Sequence, residues 1–151
     1  MSQIDIDSAN NLFTLHGKAS CLDNQISRLN NSSPPSLKTI LLVDDVDDCR
    51  VATKWFLTYF GYAVDSARNA EEALVLFDRT IHDVVITDNS MPGMSGGELA
   101  HIIKLRSPST PVLMYSGSPP DDQSCLDLVI KRPAHLLALK EAIERVMVEP
   151  H

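Results

Sequence analysis

Three carboxylates follow apolar segments of the chain and could bind a cation together. Asp44 and Asp45 come directly after TILLV (39–43), and Asp88 comes directly after DVVIT (83–87). Carboxylates held close to one another repel, so a bound divalent cation is the natural means of keeping them ionised at neutral pH. Ligands that are all oxygen suit Mg²⁺, which commonly shares its coordination shell with a phosphoryl group. The three acids therefore predict a magnesium site, provided that the fold brings them together.

A hydroxyl and a cationic side chain end two further apolar segments. PVLMYS (111–116) ends in Ser116, and LDLVIK (126–131) ends in Lys131, which Arg132 follows. If these segments are strands of the same parallel sheet, their carboxyl ends lie at the same edge as the acids. One crevice would then hold three carboxylates, one hydroxyl and one cation.

The acidic run DDVDD (44–48) has two simpler explanations. Either Asp44 or Asp45 could be only the cap of the helix that follows. A calcium loop is disfavoured, because counting from Asp44 puts Cys49 where such a loop needs Gly and Trp55 where it needs Glu. The helix cap is therefore the alternative that the residue types leave open.

The elements that must position these groups are five short apolar runs that alternate with segments of helical periodicity. Strands are predicted over 39–43, 62–67, 83–87, 111–116 and 126–131. A helix capped by Asp47 or Asp48 is predicted to reach about Phe60, with Gly61 ending it, and further helices are predicted after Asn69, after Gly97 and from Pro133. Strands that are apolar throughout are buried on both faces, so this alternation predicts an α/β fold with a parallel sheet. Right-handed crossovers bring the carboxyl ends of such strands to one edge.

The connection between the fourth and fifth predicted strands is short. Eight residues, 119–126, separate Ser118 from Asp127, and the first two of them are prolines. A mean helix has about 11–12 residues, and proline cannot continue one. We therefore expect a shortened or missing fourth helix.

Composition predicts one globular domain and disfavours nucleic acid as a partner. The chain has 151 residues and a formal net charge of -7, and the excess of acid lies in residues 39–151. Binding of nucleic acid needs clustered Lys and Arg. Residues 1–38 are rich in Asn and Ser and contain adjacent prolines, which predicts a flexible N-terminal extension.

Cysteine usage and hydropathy predict a cytoplasmic location. Cys21, Cys49 and Cys125 are odd in number and far apart, which argues against a disulfide framework. No apolar run approaches the ~20 residues of a membrane span. The N-terminus lacks the basic-then-apolar order of a signal peptide. We therefore expect no membrane contact.

Residues 39–151 resemble the receiver domain of two-component response regulators. ILLVDD matches the family's acidic pair after the first strand, and ITDNSMPGMSG matches its phosphorylated-aspartate motif. PVLMYSG matches its Ser/Thr strand, and IKRP matches its Lys-Pro strand end. The resemblance implies a doubly wound, flavodoxin-like sheet of five parallel strands in the order 2-1-3-4-5.

The resemblance also implies a phosphorylation-switched signalling domain, and not an enzyme with a substrate of its own. Asp88 would accept a phosphoryl group from a histidine kinase or a histidine phosphotransfer protein and form an aspartyl phosphate. Asp45, Asp88 and the backbone carbonyl of Ser90 would bind Mg²⁺ directly, with Asp44 close by. Ser116 would hydrogen-bond a phosphoryl oxygen, and a cation from the fifth strand would bind another. The signal would pass to a downstream protein, which the sequence does not identify, by protein contact.

The end of the fifth strand departs from the family pattern. Members usually read Lys-Pro, whereas this chain reads Lys131-Arg132-Pro133. Alignment on the strand puts Lys131 in the site, and alignment on Pro133 puts Arg132 there, so both remain candidates. The family often carries an aromatic residue three positions before the lysine, where this chain has Leu128 or Val129. The usual aromatic readout is therefore not expected.

The first predicted helix carries a second apolar stripe. Its sheet-facing residues are predicted to be Ala52, Phe56 and Phe60. Its second stripe consists of Val51, Trp55 and Tyr59, which recur at helical spacing. Either the N-terminal extension or a neighbouring helix covers this stripe, or it is a docking surface for a helical phosphodonor.

Two other functions fit part of the pattern. A pseudo-receiver would act purely as an interaction module, which the unusual cation favours and the intact acids oppose. A Mg²⁺-dependent phosphatase that works through an aspartyl phosphate would need a second acid two residues after the nucleophile, where this chain has Ser90. Few residues follow the last predicted helix, so we expect a stand-alone receiver.

Overall fold

The structure, a computed structural model, describes residues 37–148. In this part of the chain five strands alternate with four helices: β1 (Thr39–Val43), α1 (Asp47–Tyr59), β2 (Ala63–Ala67), α2 (Ala70–Arg79), β3 (Val84–Thr87), α3 (Gly96–Arg106), β4 (Val112–Ser116), β5 (Leu128–Lys131) and α4 (Leu136–Val148). The predicted extension over residues 1–38 lies outside the described residues, apart from its last two. None of the described helices has the length and apolar character needed to cross a membrane.

The five strands form one parallel sheet in the order β2-β1-β3-β4-β5, which confirms the predicted doubly wound fold. The register pairs Val43 at the end of β1 with Ala67 of β2 and Thr87 of β3. It also pairs Ser116 of β4 with Lys131 of β5. Strand ends that are level in this way place the residues that follow them along a single edge.

The core lies on both faces of the sheet, and successive residues of a strand contribute to opposite faces. Ile40 and Leu42 of β1 pack in one cluster with residues of α1 and α4, whereas Leu41 and Val43 pack in the other with residues of α2 and α3. The helical members of the two clusters include Leu57, Leu139 and Ile143 on one face and Ala73, Leu99 and Ile103 on the other. Burial on both faces explains why the strand sequences are apolar throughout.

The N-terminus of α1 differs from the prediction. The N-cap is Val46, which offers no side-chain cap, and Asp47 and Asp48 lie inside the first turn. Negative charge in a first turn is favourable, because the helix dipole is positive there. The other end agrees with the prediction, since α1 is followed by Gly61 with a φ of 92°, a left-handed conformation that favours glycine.

The buried face of α1 also differs from the prediction. Thr53 and Leu57 are buried against the sheet, while Phe56 is half-buried and Ala52 and Phe60 are exposed. The helix is therefore rotated by about one residue from the expected orientation, which a short helix rich in apolar residues on two sides allows. The stripe of Val51, Trp55 and Tyr59 is turned further toward solvent as a result.

The connection between β4 and β5 contains no helix. Residues 117–127 are all described, and they form turns, bends and irregular backbone. This confirms the predicted loss of the fourth helix. The last helix, α4, begins at Leu136 and not at Pro133, because residues 133–135 continue the loop that leaves β5.

Candidate functional site

Asp44 lies directly after β1 and is almost fully buried, with 1% of its surface exposed. Its Oδ1 atom accepts a hydrogen bond from the backbone N–H of Val46 at 2.9 Å. Its Oδ2 atom accepts one from Nη2 of Arg132 at 2.7 Å. A buried carboxylate needs such partners to stay charged, and Asp44 uses both oxygens to obtain them.

Asp45 has an unsatisfied oxygen that points to a cation. Its Oδ1 atom is buried and has no hydrogen-bond partner among the described residues. Ligand oxygens of Asp44, Asp45 and Asp88 all lie within 4.8 Å of one another. A buried acceptor without a donor is costly, and three neighbouring carboxylates repel. A cation relieves both problems, and an all-oxygen set of donors fits Mg²⁺.

Asp88 lies at the end of β3 beside the acidic pair. Its backbone N–H donates to the carbonyl of Val43 at 3.0 Å, which continues the strand pairing up to the carboxylate. Its Oδ1 atom accepts the backbone N–H of Asn89 at 2.7 Å. The residue is 9% exposed and is therefore largely buried at the end of the strand.

The loop after Asp88 turns away from the carboxylate. Ser90 and Pro92 are exposed in this loop, and Gly93 has a φ of 78°, which a residue with a side chain rarely adopts. Gly96 is packed so closely that a Cβ atom on it would lie 1.9 Å from the carbonyl oxygen of Asp88. The turn and the start of α3 therefore fix the backbone around the carboxylate.

Ser116 lies at the end of β4 and is 1% exposed. Its hydroxyl accepts the backbone N–H of Ser118 at 3.2 Å. Its backbone carbonyl accepts the N–H of Arg132 at 3.0 Å, which extends the β4–β5 pairing by one residue. The hydroxyl thus lies at the same edge of the sheet as the three acids.

The two candidate cations are placed differently. Lys131 is the last residue of β5 and is exposed, whereas Arg132 contacts Asp44. The guanidinium carbon of Arg132 lies 4.2 Å from the ring centroid of Tyr115, a cation–π contact. Tyr115 in turn donates its hydroxyl to the carbonyl of Ala134 at 3.0 Å. Of the two cations left open by the sequence, the structure brings Arg132 to the acids.

The charge of Arg132 is stabilised by the acids. Burial of the guanidinium works to lower the pKa of Arg132, but the hydrogen bond and the negative charge of Asp44 outweigh burial, and the pKa is raised. The negative charge of Asp88 acts in the same direction. Arg132 is therefore a permanent positive charge at the edge that holds the carboxylates.

Two residues at this site were missed by the sequence reasoning. Tyr115 supports Arg132, and Asn89 bonds the Asp88 carboxylate and two other parts of the chain. An Asn directly after Asp88 in DNS is a weak signal, because Asn is common in turns for many reasons. Tyr115 lies inside an apolar strand, and its sequence context gives no sign of its contact with a cation.

The outer surface of α1 carries a wide apolar groove. Val51, Trp55 and Tyr59 are 61%, 74% and 75% exposed, respectively. With Phe56, Phe60 and Leu136 these side chains line a groove of about 700 Å³, and Asp47 and Asp48 lie at its edge. Within residues 37–148 this stripe is therefore not covered by a neighbouring helix.

Comparisons with known proteins agree with this geometry. A family model described as response regulator receiver domain matches residues 40–132. The autoinducer 1 sensor kinase/phosphatase LuxN of Vibrio campbellii is 30% identical over 123 residues, which are 77% of this chain and 14% of that protein. A cyclic di-GMP phosphodiesterase of Thermotoga maritima is 32% identical over 115 residues, 72% of this chain and 31% of that protein. The chain thus spans less than a third of these two relatives.

Solved structures are similar over nearly their whole length. The response regulator protein TrrA of Thermotoga maritima, in complex with Mg²⁺-BeF, has a TM-score of 0.69 and 31% identity, covering 73% of this chain and 99% of that one. TrrA in complex with the histidine kinase ThkA gives a TM-score of 0.68 and 32% identity over 73% and 98% of the two chains. A CheY-like receiver domain of Methanospirillum hungatei has a TM-score of 0.71 and 29% identity, covering 74% of this chain and 94% of that one.

Proposed function

This chain belongs to the response regulator receiver domain family of two-component signalling, and from that premise we propose that Asp88 is its phosphoacceptor. The observation that carries the proposal is the meeting of Asp44, Asp45 and Asp88 at one edge of the sheet, with ligand oxygens within 4.8 Å of one another. Receiver domains are signalling modules. The expected consequence of phosphorylation is therefore a change in protein contacts, driven by a local change in charge.

Asp45, Asp88 and the backbone carbonyl of Ser90 are the proposed ligands of Mg²⁺. The buried Oδ1 atom of Asp45 without a partner supports this assignment. Both oxygens of Asp44 already accept hydrogen bonds, which suits a contact with the ion through water. The similar regulator TrrA was solved with Mg²⁺-BeF. When bound, Mg²⁺ neutralises negative charge on the transferring phosphoryl group.

Asp88 acts as the nucleophile in the proposed transfer. One of its carboxylate oxygens forms a bond to phosphorus, the bond from phosphorus to the donor's imidazole nitrogen breaks, and the electron pair returns to the imidazole. The Ser116 hydroxyl then donates to one phosphoryl oxygen. Arg132 is the better-placed cation for another oxygen, because it already lies against Asp44 whereas Lys131 is exposed.

The proposed donor is a histidine kinase or a histidine phosphotransfer protein that docks on α1. TrrA forms a complex with the histidine kinase ThkA, and the relative LuxN is a sensor kinase/phosphatase. The exposed stripe of Val51, Trp55 and Tyr59 offers a helical donor an apolar surface beside the acidic site. Large exposed aromatic residues in a patch commonly mark contact surfaces.

Mass measurement of the intact protein tests the phosphoacceptor. Incubation with acetyl phosphate and Mg²⁺ should add one phosphoryl group to the wild type and none to Asp88→Ala. A chelator in place of Mg²⁺ should prevent the gain. The matched control is Asp78→Ala, which removes an exposed acid far from the site. A wild type that gains no mass would instead support a pseudo-receiver, which acts by protein contact without phosphorylation.

Transfer from a kinase tests the docking surface separately. Trp55→Ala should slow phosphotransfer from the cognate kinase by about tenfold or more, because buried aromatic anchors dominate such interfaces. Acetyl phosphate needs no docking surface and should still label Asp88 in this variant. Ile81→Ala is the control, since Ile81 is 91% exposed in the loop before β3. Equal transfer to wild type and Trp55→Ala would exclude this surface.

A further inference from the structure

The connection between β4 and β5 starts directly after Ser116 of the site and lies along a groove. Residues 117–127 follow Ser116 and have no helix of their own. Between this connection and α3 lies a groove of about 540 Å³, lined by residues such as Gly97, His101, Pro120 and Cys125. A segment without a helix has few internal hydrogen bonds, so its position depends on the groups that hold it from outside.

The peptide groups of Ser118 are held by two residues of the site. Its backbone N–H donates to the hydroxyl of Ser116 at 3.2 Å. Its backbone carbonyl accepts from Nδ2 of Asn89 at 2.9 Å. One of these two hydrogen bonds is thus made by Ser116 at the end of β4, and the other is made by Asn89, the residue after Asp88. Any change at Asp88 that moves Asn89 reaches the connection through one bond.

Asn89 connects three parts of the molecule. Its backbone N–H donates to Oδ1 of Asp88 at 2.7 Å. Its side-chain Oδ1 atom accepts the N–H of Gly97 at the start of α3 at 3.1 Å. Its Nδ2 atom makes the bond to Ser118 described above. Capping the N-terminus of α3 needs only the Oδ1 acceptor of Asn89. The Nδ2 donor, which bonds Ser118, has no part in that cap and requires another explanation.

We propose that Asn89 is the positioning residue through which phosphorylation of Asp88 changes the conformation of the β4–β5 connection. The inference rests on the proposed phosphorylation. In the unmodified protein a charged oxygen of Asp88 accepts the N–H of Asn89, and bonds to a charged group are about twice as strong as neutral ones. Attachment of a phosphoryl group moves the charge from the carboxyl group to the phosphoryl oxygens. Asn89 is then held less firmly, and with it the carbonyl of Ser118.

The hydrogen bond from the N–H of Ser118 to the hydroxyl of Ser116 also weakens on phosphorylation. A Ser116 hydroxyl that turns to donate to a phosphoryl oxygen leaves its position beside the N–H of Ser118. Both bonds to the Ser118 peptides are then loosened together, and the connection opens away from α3. The groove lined by Gly97 and Pro120 is the surface that changes.

Hydrogen exchange followed by mass spectrometry tests this proposal. The full chain is compared with and without acetyl phosphate and Mg²⁺, and the occupancy of Asp88 is measured on the intact protein in the same sample. In the wild type, phosphorylation should speed exchange of the amides in residues 117–127 by about fivefold or more, because about fivefold corresponds to the loss of one typical hydrogen bond and two bonds are loosened.

Variants of Asn89 weaken the coupling. Asn89→Ala lacks both side-chain bonds, and Asn89→Asp keeps the acceptor for Gly97 but lacks the donor to Ser118. In each, exchange over 117–127 should be faster than in the wild type before phosphorylation, and phosphorylation should raise it by less, because only the bond from Ser116 remains to be loosened. The matched control is Gln123→Ala, which removes another bond from an amide side chain to a carbonyl of the connection, that of Pro120 at 3.2 Å. This control should retain the wild-type response to phosphorylation.

The outcomes separate this inference from the proposed function. If the wild type gains no phosphoryl mass, both proposals fail. If it gains the mass and exchange over 117–127 does not change, or if the Asn89 variants respond as the wild type does, the inference alone is wrong. A response lost equally in Gln123→Ala would also overturn it, because the effect would then belong to general loosening of the connection.

Discussion

The connections that follow β3 and β4 leave the same edge of the sheet but are built differently. The β3–α3 connection carries Asp88 and ends in a capping box, in which the Ser95 hydroxyl accepts the Glu98 N–H at 3.2 Å and the Glu98 carboxylate accepts the Ser95 N–H at 2.8 Å. The β4–β5 connection has Pro119 and Pro120 near its start and forms no helix over residues 117–127. One connection is fixed by local structure, and the other is held by bonds from its neighbours.

The difference reflects what each connection does in the proposed function. Phosphoryl transfer depends on positioning, so the backbone around Asp88 must stay in one arrangement. A segment that reports the transfer needs two arrangements that are close in free energy. Two glycines show the contrast. Gly96, where the β3–α3 connection ends, is tightly enclosed, whereas Gly117, where the β4–β5 connection begins, has open space around its Cβ position.

The largest difference in stability between the two connections is expected when a methyl group is added at each of these glycines. A Cβ atom at Gly96 would lie 1.9 Å from the Asp88 carbonyl oxygen and 2.9 Å from Cα of Asn89, so the backbone would have to move. We expect Gly96→Ala to lower the free energy of unfolding by about 3 kcal/mol or more. Urea unfolding measures the loss directly.

The matched variant at the second connection is Gly117→Ala. Nothing lies within 4 Å of a Cβ atom there, and Gly117 is not among the described glycines with positive φ. Its free energy of unfolding should stay within about 0.5 kcal/mol of wild type, or rise slightly because the unfolded chain loses freedom. Equal losses in the two variants would show that the second connection is as tightly packed as the first.

A smaller loss is expected at the far end of the β4–β5 connection, which is fixed by an ion pair, whereas its beginning is held by the two hydrogen bonds to Ser118. Oδ2 of Asp127 accepts the backbone N–H of Val112 at 2.7 Å and lies 2.7 Å from Nζ of Lys104 on α3. Asp127→Ala should cost about 2 kcal/mol in the free energy of unfolding, because it leaves the amide of the buried residue Val112 without its acceptor and the half-buried ammonium of Lys104 without its carboxylate.

Asp121→Ala is the control for that measurement. Asp121 lies in the middle of the same connection and is exposed, so its removal should change the free energy of unfolding by less than about 0.5 kcal/mol. A large cost at Asp121 and none at Asp127 would show that the connection is fixed in its middle and not at its far end. The opening proposed for phosphorylation would then have to begin elsewhere than at Ser118.

The sequence was sufficient to predict the parts of this molecule that depend on pattern. Apolar runs buried on both faces locate the strands, and the parallel topology then requires Asp44, Asp45, Asp88 and Ser116 to lie at one edge of the sheet. All four lie at that edge, and the three acids meet there. The missing fourth helix follows from the short connection and its prolines. These conclusions need no knowledge of any side-chain contact.

The features that the sequence did not predict depend on contacts between distant residues. The choice between Lys131 and Arg132 depends on where β5 ends and on the stacking of the guanidinium on Tyr115, which lies on another strand. The contact of Asn89 with Ser118 depends on the path of a connection 29 residues away in the chain. The face that α1 buries depends on how the helix packs on the sheet, and two apolar stripes on one helix leave that choice open.

The smallest expected effect concerns the acids that stabilise each connection. Hydrogen bonds from the backbone and hydroxyl of Ser95 hold the pKa of Glu98 below its usual value of 4.5, and hydrogen bonds from the backbone and side chain of Ser124 lower the pKa of Asp122. A lowered folded-state pKa means that the ionised form stabilises the protein above the unfolded-state pKa, and that this stability is lost as pH falls through the folded-state value. Both side chains are exposed, so each contribution is small.

Replacing each acid by its amide should separate the two connections. Glu98→Gln should reduce the fall in melting temperature between neutral pH and about pH 3, because the acid that completes the capping box no longer titrates. In the same variant the first turn of α3 should exchange its amides faster at neutral pH. Asp122→Asn should reduce the fall similarly, but its effect on amide exchange should be largest within the β4–β5 connection, where its hydrogen-bond partner Ser124 lies, and small in α3, where His101 is its charge partner. If Asp122→Asn speeds exchange in the first turn of α3 as much as Glu98→Gln does, the two connections do not behave as separate units in the unmodified protein.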